Sequence, residues 1–444
     1  MVEKRSVNPK SPIASLIIGY ISLVVFGFLL LSVPIFQSKP TSFIDNFFVS
    51  ASAISTTGLA TVSISDSYRF MGELIVLILI QFGGIGYMTF GSFIVLVRRK
   101  QISKSHETLI KNDFGLPDDI SIAGFIRTVV YFTFLVESLG AACLYWVFVH
   151  QGVRHPLWNA VFHSISAFCT AGFSLFNNSF ESFSADPLLN ITIFVLSFLG
   201  AVGFLVVLDL WLRIRGVKKT LTLTTKIILS FSVAVIAAGS LLLLQTEPYF
   251  QGFFSSRIME AVFQSMTAMT TVGFNTVPIS QLSHGVLFLM TVLMIVGASP
   301  AGTGGGIKST TIVAVICQMI SVLKGRKTVK FMNYRIPDYR VQQATAAFTF
   351  YVMFLTAGIY LLNLTDNKHI FDIMFEATSA IGTVGLSTGI TSTLSFWGKW
   401  VVIALMMFGR IGPLSIGLAI FFKRRTEGEI EDGMGGWMED IVVD

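Results

Sequence analysis

The sequence predicts an all-α polytopic membrane protein with eight full transmembrane spans and four half-helices, arranged as four parallel repeats around a central axis, both termini cytoplasmic. Three observations predict it. Of 444 residues 53% are hydrophobic and only 13% charged, with a mean hydropathy of +0.73, too apolar a balance for a soluble chain of this size. A Gly/Ser/Thr-rich pattern recurs four times, about a hundred residues apart. Lysine and arginine concentrate in alternate segments between the apolar stretches.

An apolar stretch needs roughly 20 residues at about 1.5 Å each to cross about 30 Å of hydrocarbon. Stretches 13–35, 70–97, 122–149, 187–212, 225–245, 286–323, 341–363 and 395–422 qualify, and a shorter apolar segment lies within each successive pair. The expected organisation is a cytoplasmic N-terminus at 1–12, repeats at 13–97, 120–214, 222–323 and 341–422, and a cytoplasmic tail at 423–444. Eight crossings leave both termini on one side. Of the 31 lysines and arginines, 21 fall in the five segments on that side and six in the outward ones, which marks it as cytoplasmic. The polar, basic start of the chain is followed by no small-residue cleavage site, so the first span is expected to be retained.

Several classes are disfavoured. Basic residues sit in short clusters between spans, with no basic face interleaved with aromatics, so no nucleic-acid partner is expected. Cys143, Cys169 and Cys317 are scattered without metal-ligand spacing. The intramembrane polar residues Glu137, His163, Ser166 and Glu376 do not combine nucleophile, base and orienter at any plausible spacing, so the chain is not read as an enzyme.

The four short segments align without gaps as FVSASAISTTGL (48–59), FHSISAFCTAGF (162–173), FQSMTAMTTVGF (263–274) and FEATSAIGTVGL (375–386). Ten residues before the glycine stands Phe, six before it Ser or Thr, five before it Ala, two before it Thr. Thirteen before it come Asp45, Asn159, Glu260 and Asp372, suited to the first turn of a helix. A single such patch would suit small-residue helix packing, as expected for Gly83 to Gly86. Four in register, each between two spans, point elsewhere.

A unit that crosses, dips half-way back and crosses again returns to its starting side, so successive units are parallel and pack around one axis. Each half-helix then aims its partly negative C-terminal end at the centre, where it favours a cation. Non-helical backbone at membrane depth is tolerated where it lines a water-filled path. Carbonyls of Thr56, Thr57 and Gly58, of Thr170, Ala171 and Gly172, of Thr271, Val272 and Gly273, and of Thr383, Val384 and Gly385 are the expected ion ligands. Neutral oxygens without an acidic ring suit potassium better than magnesium or calcium. One glycine per copy implies fewer tight sites, and looser discrimination against sodium, than a longer two-glycine signature gives.

On these motifs the chain, from about residue 13 to 422, resembles the Trk/Ktr/HKT superfamily of potassium transporters, and within it the bacterial Ktr-type membrane subunit, since the extra N-terminal helices of larger Trk members are missing. The superfamily's filter glycines match Gly58, Gly172, Gly273 and Gly385, a set it associates with potassium preference. The resemblance implies potassium as the transported ion, sodium as a candidate activator and no organic cofactor. It also implies a homodimer in membrane lipid, seated on a cytosolic RCK-type regulatory ring (KtrA- or KtrC-like) that binds ATP or ADP. The chain carries no nucleotide-binding glycine motif of its own, and 101–119, 324–340 and 425–444 are the candidate docking segments.

Two features are expected to gate. Stretch 286–323 would make a helix of about 57 Å, too long for one span, and its break is legible at Gly297, Ser299, Pro300, Gly302, Thr303, Gly304, Gly305 and Gly306. The break resembles the superfamily's intramembrane gating loop. Lys308 follows it, as an anchor of the loop or a further barrier. Arg410 lies deep in the last span, where burial costs about 2.5–3.5 kcal/mol. It is either paired structurally with a carbonyl or Glu137, or faces the ion path, opposing a cation about 6 Å away by roughly 3 kcal/mol; the superfamily's arginine at the matching place favours the second. A secondary cotransporter coupled to sodium or protons is the alternative reading.

Overall fold

The computed structural model describes residues 12–86, 122–216, 219–247 and 254–421. The candidate docking segments 101–119 and 425–444, and the inner end of the second expected span, lie outside the described residues.

The order long helix, short helix, helix occurs four times. The first set is α1 (Pro12–Leu31), α2 (Phe43–Ile54), a single turn α3 (Ile64–Ser67) and α4 (Phe70–Ile85). The second is α5 (Ile122–His150), α6 (Pro156–Phe168), α7 (Pro187–Val202) and α8 (Phe204–Ile214). The third is α9 (Leu223–Thr246), α10 (Phe254–Thr270), α11 (His284–Ile295) and α12 (Ser309–Leu323). A hairpin of β1 (Lys330–Phe331) and β2 (Tyr334–Arg335) leads to α13 (Asp338–Thr365), α14 (Ile370–Gly382), α15 (Phe396–Ile411) and α16 (Pro413–Phe421).

Among the described residues, α5, α9 and α13 are long and apolar enough to cross a membrane unbroken, and α7 with α8 makes a fourth if a pair bent by 96° counts as one span. Helix starts follow side-chain capping: Ser42, Asp186, Thr222, Ser283 and Ser395 each accept a first-turn amide. Asp45 and Asp372 lie in the first turns of α2 and α14 as expected. Glu260 does not, because α10 begins earlier, at Phe254.

The short helices are buried between their flanking helices. Phe48, Phe162, Phe263 and Phe375 are all at most 2% exposed and anchor them in the core. Each long first helix admits its neighbours through one glycine. A Cβ on Gly27, Gly140 or Gly239 would strike both a hydroxyl of the adjacent short helix (Ser50, Ser164, Ser265) and a leucine of the following helix (Leu79, Leu196, Leu293). Gly358 meets Leu405 in the same way. Those hydroxyls reach first-helix carbonyls, Ser50 to Val24 at 2.7 Å, Ser164 to Glu137 at 2.7 Å and Ser265 to Ile236 at 2.9 Å. The motif alignment missed this second repeat, which has one glycine per copy and no fixed neighbours.

Broken second helices are more general than the sequence implies. Besides the interruption between α11 and α12, α7 gives way to α8 at Gly203 (φ +85°) and α15 to α16 at Gly412 (φ +91°), where Pro413 opens the next helix. Helix α4 ends before Gly86 (φ +85°). A lone glycine in an apolar run is compatible with a continuous membrane helix, so sequence reveals only the glycine-crowded third case. The Gly83 to Gly86 run does pack closely: a Cβ on Gly83 would strike Ile54 O, and one on Gly84 the Cys169 side chain.

Candidate functional site: a four-strand ring above a broken helix

The four short helices end in the predicted Thr-X-Gly segments, which share one backbone form. Thr56, Thr170, Thr271 and Thr383 have φ of +52°, +49°, +59° and +50°, and Gly58, Gly172, Gly273 and Gly385 have φ of +90°, +66°, +82° and +96°. The residue between is not left-handed, so φ alternates in sign along each strand. Left-handed threonines are disfavoured, and four at one position mark a geometry that the surroundings enforce.

Hydrogen bonds supply the enforcement at the inner end. The N–H groups of Thr57, Ala171, Val272 and Val384 turn back to the carbonyls of Ser52, Ser166, Thr267 and Ser379 at 2.9, 2.8, 3.2 and 2.8 Å. The N–H groups of Thr56, Thr170 and Thr383 bond to Ala53, Ala167 and Ala380, each at 3.1 Å. These acceptors are the Ser/Thr and Ala of the sequence motif, and two of the hydroxyls also reach the strand, Ser166 donating to Phe173 O at 2.8 Å and Ser379 accepting from Gly385 N at 3.0 Å. No main-chain amide among the described residues bonds to the carbonyls of the twelve strand residues.

The strands close into a ring. A Cβ built on Gly58 would stand under 3.0 Å from Ala171 O, one on Gly172 from Val272 O, one on Gly273 from Val384 O, and one on Gly385 from Thr57 O. The circuit runs through repeats 1, 2, 3, 4 and back to 1. Each glycine is therefore required twice, by its positive φ and by the next strand's backbone. The threonines and middle residues are fully buried, whereas Gly58, Gly172 and Gly385 are partly accessible.

Under the ring sits the segment between α11 and α12. The Thr56 hydroxyl donates to Thr303 O at 3.2 Å, Thr170 Oγ1 meets Thr303 Oγ1 at 3.0 Å, and Thr383 Oγ1 accepts from Gly305 N at 2.8 Å. Thr271 Oγ1 closes the set against Gly304, where a Cβ would collide with it. Thus Thr303, Gly304 and Gly305 face all four threonine side chains, and two glycines are there because a side chain would not fit.

The loop is held by helix ends. A helix leaves its last carbonyls without partners, and here the loop caps several: Ser299 N bonds to Ala201 O at 2.9 Å, Thr303 N to Gly200 O at 3.1 Å and Gly306 N to Gly409 O at 3.3 Å. Phe204 N returns a bond to Ala301 O at 3.0 Å, and Gly203 lies so close to Pro300 and Gly302 that a Cβ would collide with both. Gly297 lies equally close to Gly305 and Ile307, and Ile307 pairs with Val296 in a parallel bridge.

Two basic side chains complete the arrangement. Arg410 donates through Nη1 to Thr303 O and, at 3.2 Å, to the Thr56 hydroxyl, and through Nη2 to Gly83 O, the end of α4. Lys308 Nζ donates to Gly304 O at 2.8 Å. Arg410 thus takes carbonyl partners, and they belong to the loop beneath the ring. Glu137 is instead held by Gln81 at 3.0 and 3.1 Å, beside Cys169. All predicted strand and loop residues therefore come together at one place. Sequence reading missed the second-helix carbonyls from Gly83, Gly200, Ala201 and Gly409, because backbone acceptors leave no trace in residue type.

At the rim away from the loop, ties join repeats 1 and 2, 2 and 3, and 4 and 1. Ser63 bonds to Asn177 at 2.6 Å, Asn275 to Glu181 at 2.8 Å, and Lys399 pairs with Asp45 at 2.7 Å. Burial raises the Asp45 carboxyl, but its bonds to Lys399 and Ser42 outweigh this and hold it below its usual value.

Comparison with known proteins follows this geometry. The model of the TrkH family, described as cation transport protein, matches residues 4–427. The chain is 33% identical over 425 residues to Ktr system potassium uptake protein B of Bacillus subtilis, covering 94% of each. It is 31% identical over 437 residues to the potassium/sodium uptake protein NtpJ of Enterococcus hirae, covering 95% of this chain and 96% of that one. The crystal structure of the potassium transporter TrkH from Vibrio parahaemolyticus superposes with a TM-score of 0.73 at 20% identity, covering 96% of this chain and 87% of that one, a likeness of fold. With a family model spanning nearly its whole length and relatives above 30% identity end to end, this multi-pass membrane protein belongs to the TrkH family of cation transport proteins.

Proposed function

We propose that the chain is the membrane subunit of a potassium uptake system. In this reading the four Thr-X-Gly strands form a selectivity filter whose carbonyls replace the hydration shell of the ion. Four pore repeats with eight spans surround one path, and both termini are cytoplasmic. The loop at 297–306, with Lys308 and Arg410, is the gate. In this reading the loop, set against all four threonines, blocks the path until it moves aside. The observation that carries the reading is the closed circuit of four positive-φ glycines, each abutting the next strand's carbonyl. In this reading the circuit presents neutral oxygens from four strands to one axis without a carboxylate, which suits a monovalent cation.

Inward flux can be driven by the membrane potential, about 2.3 kcal/mol per charge per 100 mV. Relatives named as Ktr system proteins support a partnership with regulatory subunits. A homodimer, a nucleotide-binding cytosolic ring and activation by sodium extend this reading, and the relative named for both potassium and sodium bears on the last. The purified chain in liposomes should pass potassium and rubidium faster than sodium. Changing Gly58, Gly172, Gly273 or Gly385 to Ser should erode that preference, and potassium flux indifferent to all four changes would sink the filter assignment. Flux coupled stoichiometrically to sodium or protons would favour a secondary cotransporter.

A further inference from the structure

The strands need a hold at their outer ends as well as their inner ones. Past each glycine the chain leaves toward the outer rim, and in three repeats a buried polar side chain of the short helix reaches across to it. All three occupy the same motif position, nine residues before the glycine.

In repeat 2, fully buried His163 receives the N–H of Leu175 on Nε2 at 3.3 Å, with Ser174 Oγ on the same nitrogen at 2.9 Å. Because Nε2 accepts, the ring proton is on Nδ1, which donates to Asn159 O at 2.7 Å. In repeat 3, Gln264 Nε2 donates to Thr276 Oγ1 at 3.2 Å. In repeat 4, fully buried Glu376 accepts from Ser387 Oγ at 2.8 Å and from the Thr391 hydroxyl. Ser387 Oγ also lies 2.9 Å from Thr391 Oγ1 and accepts from Gly389 N at 3.0 Å, so one carboxyl organises residues 387–391. Repeat 1 has Val49 here, fully buried and without hydrogen-bonding capacity.

We propose that His163, Gln264 and Glu376 are positioning residues that fix the outer ends of three filter strands, Glu376 most strongly, and so tune the spacing of the carbonyls around the ion. The inference rests on the filter reading above. Polar side chains at this depth are costly unless bonded, and each of the three is, although Gln264 leaves its Oε1 without a partner. Three different chemistries at one position, each reaching two to six residues beyond the glycine, share that geometric task. Repeat 1 lacks a polar side chain at this position, and the segment after its glycine is tied instead to repeat 2, Ser63 to Asn177 at 2.6 Å.

The test compares E376A, E376Q, H163A and wild type, purified intact and reconstituted in liposomes. Potassium, rubidium and sodium fluxes are read together with half-saturating potassium and maximal flux, and monodispersity and thermal unfolding establish that each variant is folded. Losing two hydrogen bonds to a buried carboxyl should lower potassium-over-sodium discrimination about tenfold in E376A. Half-saturating potassium should rise more than maximal flux falls. E376Q, which keeps the shape and an acceptor, should restore most of the discrimination. H163A should shift it in the same direction by less. Folded E376A and H163A with wild-type discrimination would overturn the positioning role, as would E376Q as defective as E376A. A wild-type protein that passes no potassium would overturn the functional reading itself, and this inference with it.

Discussion

Gly172 and Gly152 form a natural matched pair for testing the ring. Their φ angles are +66° and +67°, so an alanine at either is strained by a left-handed φ, at about 1–2 kcal/mol for an L-residue. Their surroundings differ completely. Nothing lies within 4 Å of a Cβ on Gly152, whereas a Cβ on Gly172 would stand under 3.0 Å from Val272 O and close to Gly273. G172A must therefore displace the repeat 3 strand, adding about 1–3 kcal/mol of overpacking. Thermal unfolding of the detergent-purified protein should place G152A slightly below wild type and G172A clearly lower. In liposomes G152A should keep wild-type potassium-over-sodium selectivity and G172A should lose much of it. Equal destabilisation with equal selectivity would refute the claim that the next strand's carbonyl, and not backbone conformation alone, requires glycine.

Two further predictions concern the basic side chains. R410A removes bonds to Thr303 O, Thr56 and Gly83 O and should raise potassium flux severalfold or more, since a charged hydrogen bond contributes about 1.5–3 kcal/mol; R410K, with a single ammonium, should fall between, and unchanged flux in both would count against a gating role. At the rim, the depressed Asp45 carboxyl contributes stability that is complete above the ordinary carboxylate range, near pH 4, and is lost as pH falls through its lowered value. The acid-induced drop in unfolding temperature should accordingly be smaller in K399M, and an identical profile would tell against the pair.

Much of the ring was legible in sequence because its requirements fall on residue types. Glycine at four equivalent places reflects positive φ and close approach, and the crowded glycines of 302–306 reflect a loop pressed against four threonines. The Ser/Thr and Ala positions were visible as a pattern but not as a mechanism, since their carbonyls receive the strand amides. The interruptions at Gly203 and Gly412 were hidden because one glycine in an apolar helix is unremarkable until its φ is known. Arg410 and Glu137, both charged at membrane depth, invited pairing with each other; Glu137 is occupied by Gln81, and Arg410 by carbonyls of the loop and of α4. Pairing between backbone and side chain is decided by tertiary packing, which a sequence motif does not encode.

The capped helix ends beneath the ring carry a consequence for hydration. Gly83 O, Gly200 O, Ala201 O and Gly409 O are bonded by Arg410, Thr303, Ser299 and Gly306, groups that travel with the loop or hold it. If the loop withdraws, Gly200 O, Ala201 O and Gly409 O are bared in the proposed pore, where an unsatisfied acceptor is expensive. Water or a passing cation must take the vacated places in the same step. On the proposed gating reading, opening and wetting of the inner vestibule are then one event, with the loop as a dry stopper whose removal creates a polar lining for the ion.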